Sequence, residues 1–392
     1  MIPPPPPPPA AHIFQPVLDR MPAPAHAPEA VALESALAAA HDVGHAIAVS
    51  SGTAALHTAL VACGVTAGDE VLLPAATVMM VVAAVQAAHA RPVFVESGAL
   101  GSMDVTDLSA KIGPRTAAII AVHLAGHCTG LSDVSDVAAR HRIPLIEDAC
   151  QAQGSRHRGR LAGTFGDVGC FSLKDGKIVA AGEGGYLLTD SAPIAERAAA
   201  YRTHWALPAA GIPAFTRLGR NYRLPELSAV LARHNLAGLE AALARRRAQA
   251  ALLADLVGDV PGLCRIVPAD GDEPNGYSAV WEITLPEPRA FAARLHQAGV
   301  PNSVGTFGLR AASAHPACQE MNPAACPAAE HAVDRLLAVL LLSVDTEQDL
   351  RERAEIIQRE ATTWNPLGGH PARPHPTASS FSTPTSSGTP SS

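Results

Sequence analysis

Between residues 46 and 148 the chain repeats one pattern. A short run of Val, Ile, Leu or Ala is followed by a turn, and often by a helical stretch of about ten to fifteen residues. The runs predict strands over 46–51, 71–73, 92–96, 117–124 and 144–148. Helices are predicted over 52–63, 78–89 and 132–141. Strands that are apolar on both faces and joined by helical crossovers build a mostly parallel sheet covered on both sides. Two further strands, 168–173 and 186–189, follow without an intervening helix, so the sheet should be mixed. The fold class is therefore α/β, with a mostly parallel mixed sheet in a large α/β/α domain.

From 225 to 257 the pattern turns long and helical, with leucines near one stripe and Gly238 as a point of kinking or splitting. Beyond it a strand (279–285) and helices (289–298 and 328–341) predict a smaller C-terminal α+β domain. The ends are low in complexity. Pro3 to Pro9 favour an extended solvated chain, and the residues after about 365 are rich in Ser, Thr and Pro. The expected division is a disordered Pro-rich segment 1–12, a large domain 13–240, a small domain 241–364 and a disordered tail 365–392.

Composition excludes several classes. With 48% apolar and 17% charged residues the chain is not disordered overall. A net charge of −7 argues against nucleic acid or an anionic membrane as partner. The longest apolar stretches, 78–88 and 336–342, fall short of the roughly 20 residues that span a bilayer. Seven cysteines, odd in number and without CxxC pairing, suit a reduced protein, and the Met-Ile-Pro opening shows no basic or apolar region of a secretory signal. A soluble cytoplasmic protein is expected.

One count narrows the chemistry. Among 29 basic side chains only Lys111, Lys174 and Lys177 are lysines. Two of the three lie in Phe171–Ser172–Leu173–Lys174–Asp175–Gly176–Lys177, between two predicted strands and ahead of Gly182–Glu183–Gly184–Gly185. A lysine in a desolvated pocket can become a nucleophilic amine that forms a Schiff base. Ser51, Gly52 and Thr53 open a predicted helix, where capped N–H groups and the helix dipole can hold a phosphate. Asp148 ends an apolar strand, where a carboxylate needs a cationic partner: an arginine or a protonated ring nitrogen. Gly219–Arg220–Asn221–Tyr222–Arg223 precedes the long helix. A phosphate cup, a strand-end Asp and an isolated Lys together supply what pyridoxal 5′-phosphate (PLP) requires.

The chain resembles the DegT/DnrJ/EryC1/StrS family of PLP-dependent sugar aminotransferases of fold type I. The resemblance runs from about 46 to 247, and more weakly to about 360. It rests on SGTAAL (51–56), GDEVLLPAAT (68–77), PVFVE (92–96), IEDACQAQGS (146–155), GTFGDVGCFSLKDGK (163–177), GEGG (182–185) and GRNYRL (219–224). In the family pattern the Schiff-base lysine lies five residues after the serine of the FS pair, which from Ser172 is Lys177. The resemblance implies that Lys177 bonds PLP and moves the proton, that Asp148 pairs with the pyridinium, and that Gln151 lies near the ring hydroxyl. Ser51, Gly52, Thr53 and Ser172 would bind phosphate. Asn221 would reach the other subunit's cofactor, implying a homodimer with shared active sites. Val78 takes the ring-stacking position, where the family usually has an aromatic residue. Family dehydratases carry His at the lysine position, so Lys177 favours transamination. The amino donor implied is Glu or Gln, and the acceptor a nucleotide-linked keto-sugar or a keto-cyclitol of natural-product or cell-surface sugar biosynthesis.

Three other readings compete. His123, His127 and Cys128 are close in sequence, but loop histidines outweigh a metal site there because no fourth ligand is near. The glycines 182–185 are not G-x-G-x-x-G and precede a strand, which excludes a nicotinamide site. A PLP-binding regulatory or silent paralogue, or a PLP enzyme of another type such as elimination, is the alternative function. No metal is expected.

Overall fold

This computed structural model describes residues 2–4, 11–18, 28–321 and 323–365. Seven strands form the central sheet: β1 (His45–Val49), β2 (Glu70–Pro74), β3 (Arg91–Val95), β4 (Thr116–Val122), β5 (Leu145–Asp148), β6 (Val168–Ser172) and β7 (Gly185–Thr189). Their spatial order is β1-β7-β6-β5-β4-β2-β3. The pairs β2/β3, β2/β4, β4/β5 and β5/β6 are parallel, whereas β7 runs antiparallel to both β6 and β1. The chain from β6 returns without a helix, so β7 must be reversed, and the predicted mixed sheet is what forms.

The continuous apolar runs are explained by the two faces. Along β2, Val71 and Leu73 point into one core with Leu56, Leu60, Val81 and Val85. Leu72 points into the other with Leu33, Leu37, Val134 and Val137. Adjacent strand residues face opposite ways, so a strand with helices on both faces has no solvent side. The covering helices are α1 (Pro28–His41), α2 (Gly52–Ala62), α3 (Met79–Ala87), α4 (Val105–Lys111), α5 (Leu131–His141) and α6 (Ala192–Arg202). Leu72 and Leu73 are both 0% exposed, and truncating either to alanine should cost about 2–5 kcal/mol.

Gly238 splits the long helical segment into α7 (Glu226–Ala237) and α8 (Leu239–Val257). Leu253 and Val257 of α8 belong to a separate core in the C-terminal unit. There a three-stranded antiparallel sheet, β8 (Leu263–Arg265), β9 (Ser278–Ile283) and β10 (Leu336–Leu340), packs on α8, α9 (Pro288–Gln297) and α11 (Glu347–Thr362). One expectation is corrected. The helix predicted over 328–341 is a short helix, α10 (Pro327–Asp334), followed by β10. The run Leu336 to Leu342 is apolar at every position, and a short run of that kind fits a doubly buried strand as well as a helix. Pairing with β9 decides it.

The disordered ends expected at 1–12 and 365–392 lie mostly outside the described residues. Residues 2–4 are described and lie against the C-terminal unit. Ile2 packs on its core, and the Pro3 carbonyl accepts a hydrogen bond from Arg245.

Candidate active site

β1 and the parallel strands β5 and β6 run the same way through the sheet, so their C-terminal ends share one edge. Each ends in a residue singled out above. β1 leads through Ser50 into Ser51, whose backbone is extended and whose Oγ accepts from the Ala54 N–H at 3.0 Å, capping α2. β5 ends at Asp148 and β6 at Ser172. Gly52 is where the three meet. A Cβ there would lie 2.8 Å from Cys150 Sγ and 3.0 Å from Ser172 Cβ. Gly185 allows the same approach from the other side, since its Cβ would lie 2.5 Å from the Ser51 carbonyl. The first turn of α2 is therefore pressed against the ends of β6 and β7, with its free N–H groups at the sheet edge.

Asp148 is 4% exposed and accepts from the Cys150 N–H at 3.1 Å. Burial pushes the Cys150 thiol well above its ordinary range; the Asp148 charge adds to this and the Lys177 ammonium opposes it. Cys150 thus lies in the field of both groups.

The two lysines separate cleanly. Between β6 and β7 the chain makes a tight excursion closed by Ala181 N–H to the Leu173 carbonyl at 2.7 Å and Asp175 N–H to the Gly182 carbonyl at 3.1 Å. Gly176, at φ +87°, turns the chain within it. Lys174 is left exposed, while Lys177 is partly buried. Lys177 Nζ lies 3.3 Å from the Tyr277 hydroxyl and 4.8 Å from the centre of its ring.

The remaining expected residues are placed variously. Gln151 Oε1 accepts from the Ala125 N–H at 2.7 Å, which fixes it beneath the 123–127 turn. Val78 is the extended residue preceding α3, partly buried against the first core. Thr53 lies in the first turn of α2. Asn221 is exposed, its backbone bridged to Thr203. The neighbouring Tyr222 ties that loop to α2: its carbonyl accepts from the Ser50 N–H at 2.8 Å and its hydroxyl is 3.1 Å from His57 Nδ1. Tyr201 lies 3.2 Å from the other nitrogen of His57. Burial, with Arg220 and His89 adding charge repulsion, pushes His57 down to about 4. It is therefore a neutral hydrogen-bonding strut.

Of the residues of the outweighed metal reading, one histidine is committed elsewhere. His123 Nε2 lies 2.9 Å from Glu147, while His127 and Cys128 are buried. Among the described residues no three His, Cys, Asp or Glu side chains are placed to hold a metal ion. Sequence reasoning missed Glu147 as an organising residue, and also Asn275, Tyr277 and Arg246. Only the Asn-Gly-Tyr turn carried any signal, and a weak one.

An amine, a buried carboxylate and a glycine-opened helix N-terminus at one sheet edge fit a cofactor with an aldehyde, a basic ring nitrogen and a phosphate. The family model for the DegT/DnrJ/EryC1/StrS aminotransferase family matches residues 20–357. The chain belongs to this family. A similar relative is the L-glutamine:2-deoxy-scyllo-inosose aminotransferase of Micromonospora echinospora, 40% identical over 57% of this chain and 56% of that protein. The match thus spans little more than half of that relative. The UDP-N-acetyl-3-dehydro-alpha-D-glucosamine 3-aminotransferase of Acidithiobacillus ferrooxidans is 32% identical over 74% of this chain and 77% of its own. Among solved structures, S. venezuelae DesV in complex with a ketimine intermediate superposes with a TM-score of 0.80 at 27% identity, covering 90% of this chain and 94% of DesV. The expected family, its fold and its PLP cofactor are borne out.

The family's cofactor gives the Gly52 contact a measurable consequence. Gly52→Ala must push α2 away from Cys150 or Ser172, an overpacking that costs about 1–3 kcal/mol. The expected result is PLP retention weakened about tenfold or more, with a lower melting temperature. Cofactor released on gel filtration and a thermal melt check it.

Proposed function

We propose that the protein is a PLP-dependent aminotransferase that moves an amino group from Glu or Gln to a nucleotide-linked keto-sugar or a keto-cyclitol. What supports the reading is that Asp148, the N-terminus of α2 and the β6–β7 loop that bears Lys177 share one sheet edge, with Lys177 partly buried and Lys174 exposed. Bound PLP supplies an aldehyde that bonds an amine and a ring that draws off electrons. The chain supplies the rest. The α2 N–H groups with Ser51, Gly52, Thr53 and Ser172 would hold the phosphate, and Asp148 would keep the ring nitrogen protonated. Gln151 and Val78 would help hold the ring. Lys177 Nζ would bond the aldehyde and serve as the base that moves a proton to and from the substrate carbon.

Asn221 belongs to the shared site of a homodimer in this reading. Its exposure supports that, as does the apolar surface of the same loop, where Leu207, Phe215 and Leu218 are 55%, 77% and 92% exposed. The substrates in the relatives' names, a cyclitol ketone and nucleotide-linked sugars, support the acceptor class. No helix among the described residues is long and apolar enough to cross a membrane, and the cytoplasm is the compartment we propose.

The test is a panel of keto-cyclitols and nucleotide-linked keto-sugars supplied with glutamine or glutamate labelled at the amino nitrogen. Label in an aminated product is the expected result. A protein that binds PLP yet transfers label to no acceptor, and loses no colour with either donor, would overturn the reading in favour of a silent paralogue.

A further inference from the structure

Asn275, Gly276 and Tyr277 lie just ahead of β9, in the C-terminal unit, yet they reach the site of the large domain. Asn275 is 0% exposed. Its Nδ2 donates to the carbonyls of Gln151 and Gln153, both at 2.9 Å, and its N–H donates to Ser155 Oγ at 3.2 Å. Its Oδ1 accepts from the Tyr277 N–H at 2.9 Å. Gly276 adopts φ +77°, and a Cβ there would lie 2.5 Å from the Arg246 carbonyl. The turn is clamped on one side by the loop after β5 and on the other by α8. What it presents is the Tyr277 ring and hydroxyl against Lys177 Nζ.

A second contact fixes the lysine from its own backbone. Arg246 is 2% exposed, and its Nη2 donates to the carbonyl of Gly176 at 2.9 Å. Its Nη1 is buried without a partner among the described residues. A guanidinium held in this way without a carboxylate is costly, and α8 retains it where it grips the residue before Lys177. Lys177 is therefore held at both ends by groups of the second domain.

We propose that Tyr277 is a positioning residue for Lys177, contributed by the small domain, that keeps the amine at the site whenever it is not bonded to the cofactor. The inference rests on the reading of Lys177 as the cofactor lysine. A lysine side chain has several rotatable bonds, and transfer rates depend on holding the reacting atom near its attack geometry. The hydroxyl contact fixes Nζ in direction, and the ring face attracts its charge.

Tyr277→Phe keeps the ring and removes the hydroxyl. Two quantities should fall about tenfold, as loss of one hydrogen bond implies: kcat, and the rate at which cofactor-free protein captures PLP as a borohydride-reducible adduct. KM for the amino donor should stay within about twofold, and the acid limb of the kcat–pH profile should move. Asn275→Ala, which leaves the phenol but frees its turn, should reproduce the loss of capture rate. Wild-type capture rate, kcat and pH profile in Tyr277→Phe, with the adduct still on Lys177, overturn the proposal and leave the functional reading standing. A wild-type protein that forms no adduct on Lys177 overturns both.

Discussion

Lys177→Ala is expected to lose transamination by at least about 10⁴-fold, because one side chain supplies both the covalent link and the proton-moving base. Lys174→Ala should stay within about twofold of wild type, as expected for an exposed side chain. The chain makes this contrast unusually clean. It contains three lysines, and Lys111 is engaged by Asp107 at 2.6 Å and by the Phe94 carbonyl at 2.8 Å. Lys174 is exposed, whereas Lys177 is partly buried and faces Tyr277. Borohydride reduction of the PLP-loaded protein, digestion and peptide mass mapping should place one label, on residue 177. A label on Lys174, or an active Lys177→Ala protein, would remove the basis of the proposed function.

The frame of this site was legible in the sequence, and so was a separate C-terminal unit, but the contacts that unit makes with the site were not. Short apolar runs between helices can be read as parallel strands because burial on both faces dictates composition at every position, as Val71, Leu72 and Leu73 show. The scarcity of lysine isolated Lys174 and Lys177, but choosing between them from sequence required the family spacing. In the structure Lys174 is exposed and Lys177 is partly buried against Tyr277, which is 100 residues away. Such a contact leaves no local pattern, since a tyrosine after Asn-Gly reads as an ordinary turn into a strand. The run at 336–342 failed for a related reason. A uniformly apolar segment has no periodicity to reveal its neighbours, and only the partner strand β9 decides its form. Asn221 is a different case. Its residue type says little, and its exposure in one chain is informative only once a second copy is considered.

Glu147→Gln should destabilise the fold by about 2–4 kcal/mol, because it leaves buried donors without their charged acceptor. Glu147 precedes Asp148 on β5 and points to the opposite face of the sheet. It is 0% exposed, and burial alone would raise its pKa. The His123 hydrogen bond and charge, with the Gly166 and Gly163 N–H groups, outweigh that and hold it below the ordinary carboxylate range. One oxygen takes His123 Nε2 at 2.9 Å and the Gly163 N–H at 2.8 Å; the other takes the Phe165 and Gly166 N–H groups at 2.6 and 2.8 Å. A glutamine keeps one oxygen and sets its NH₂ against the remaining donors. The 163–166 turn so held also carries the Gly163 carbonyl that packs against Gly169 of β6, the strand ending at Ser172. A carboxyl with a depressed pKa in the folded state adds stability above its unfolded pKa and loses it as pH falls through the folded value. Wild-type stability should therefore drop steeply below about pH 4.5, and Glu147→Gln should flatten that slope while lowering stability at about pH 7. Urea midpoints across that range, at constant m, measure both effects. A variant as stable as wild type, or with an unchanged acid slope, would show that the carboxylate is not what secures the turn beneath the site.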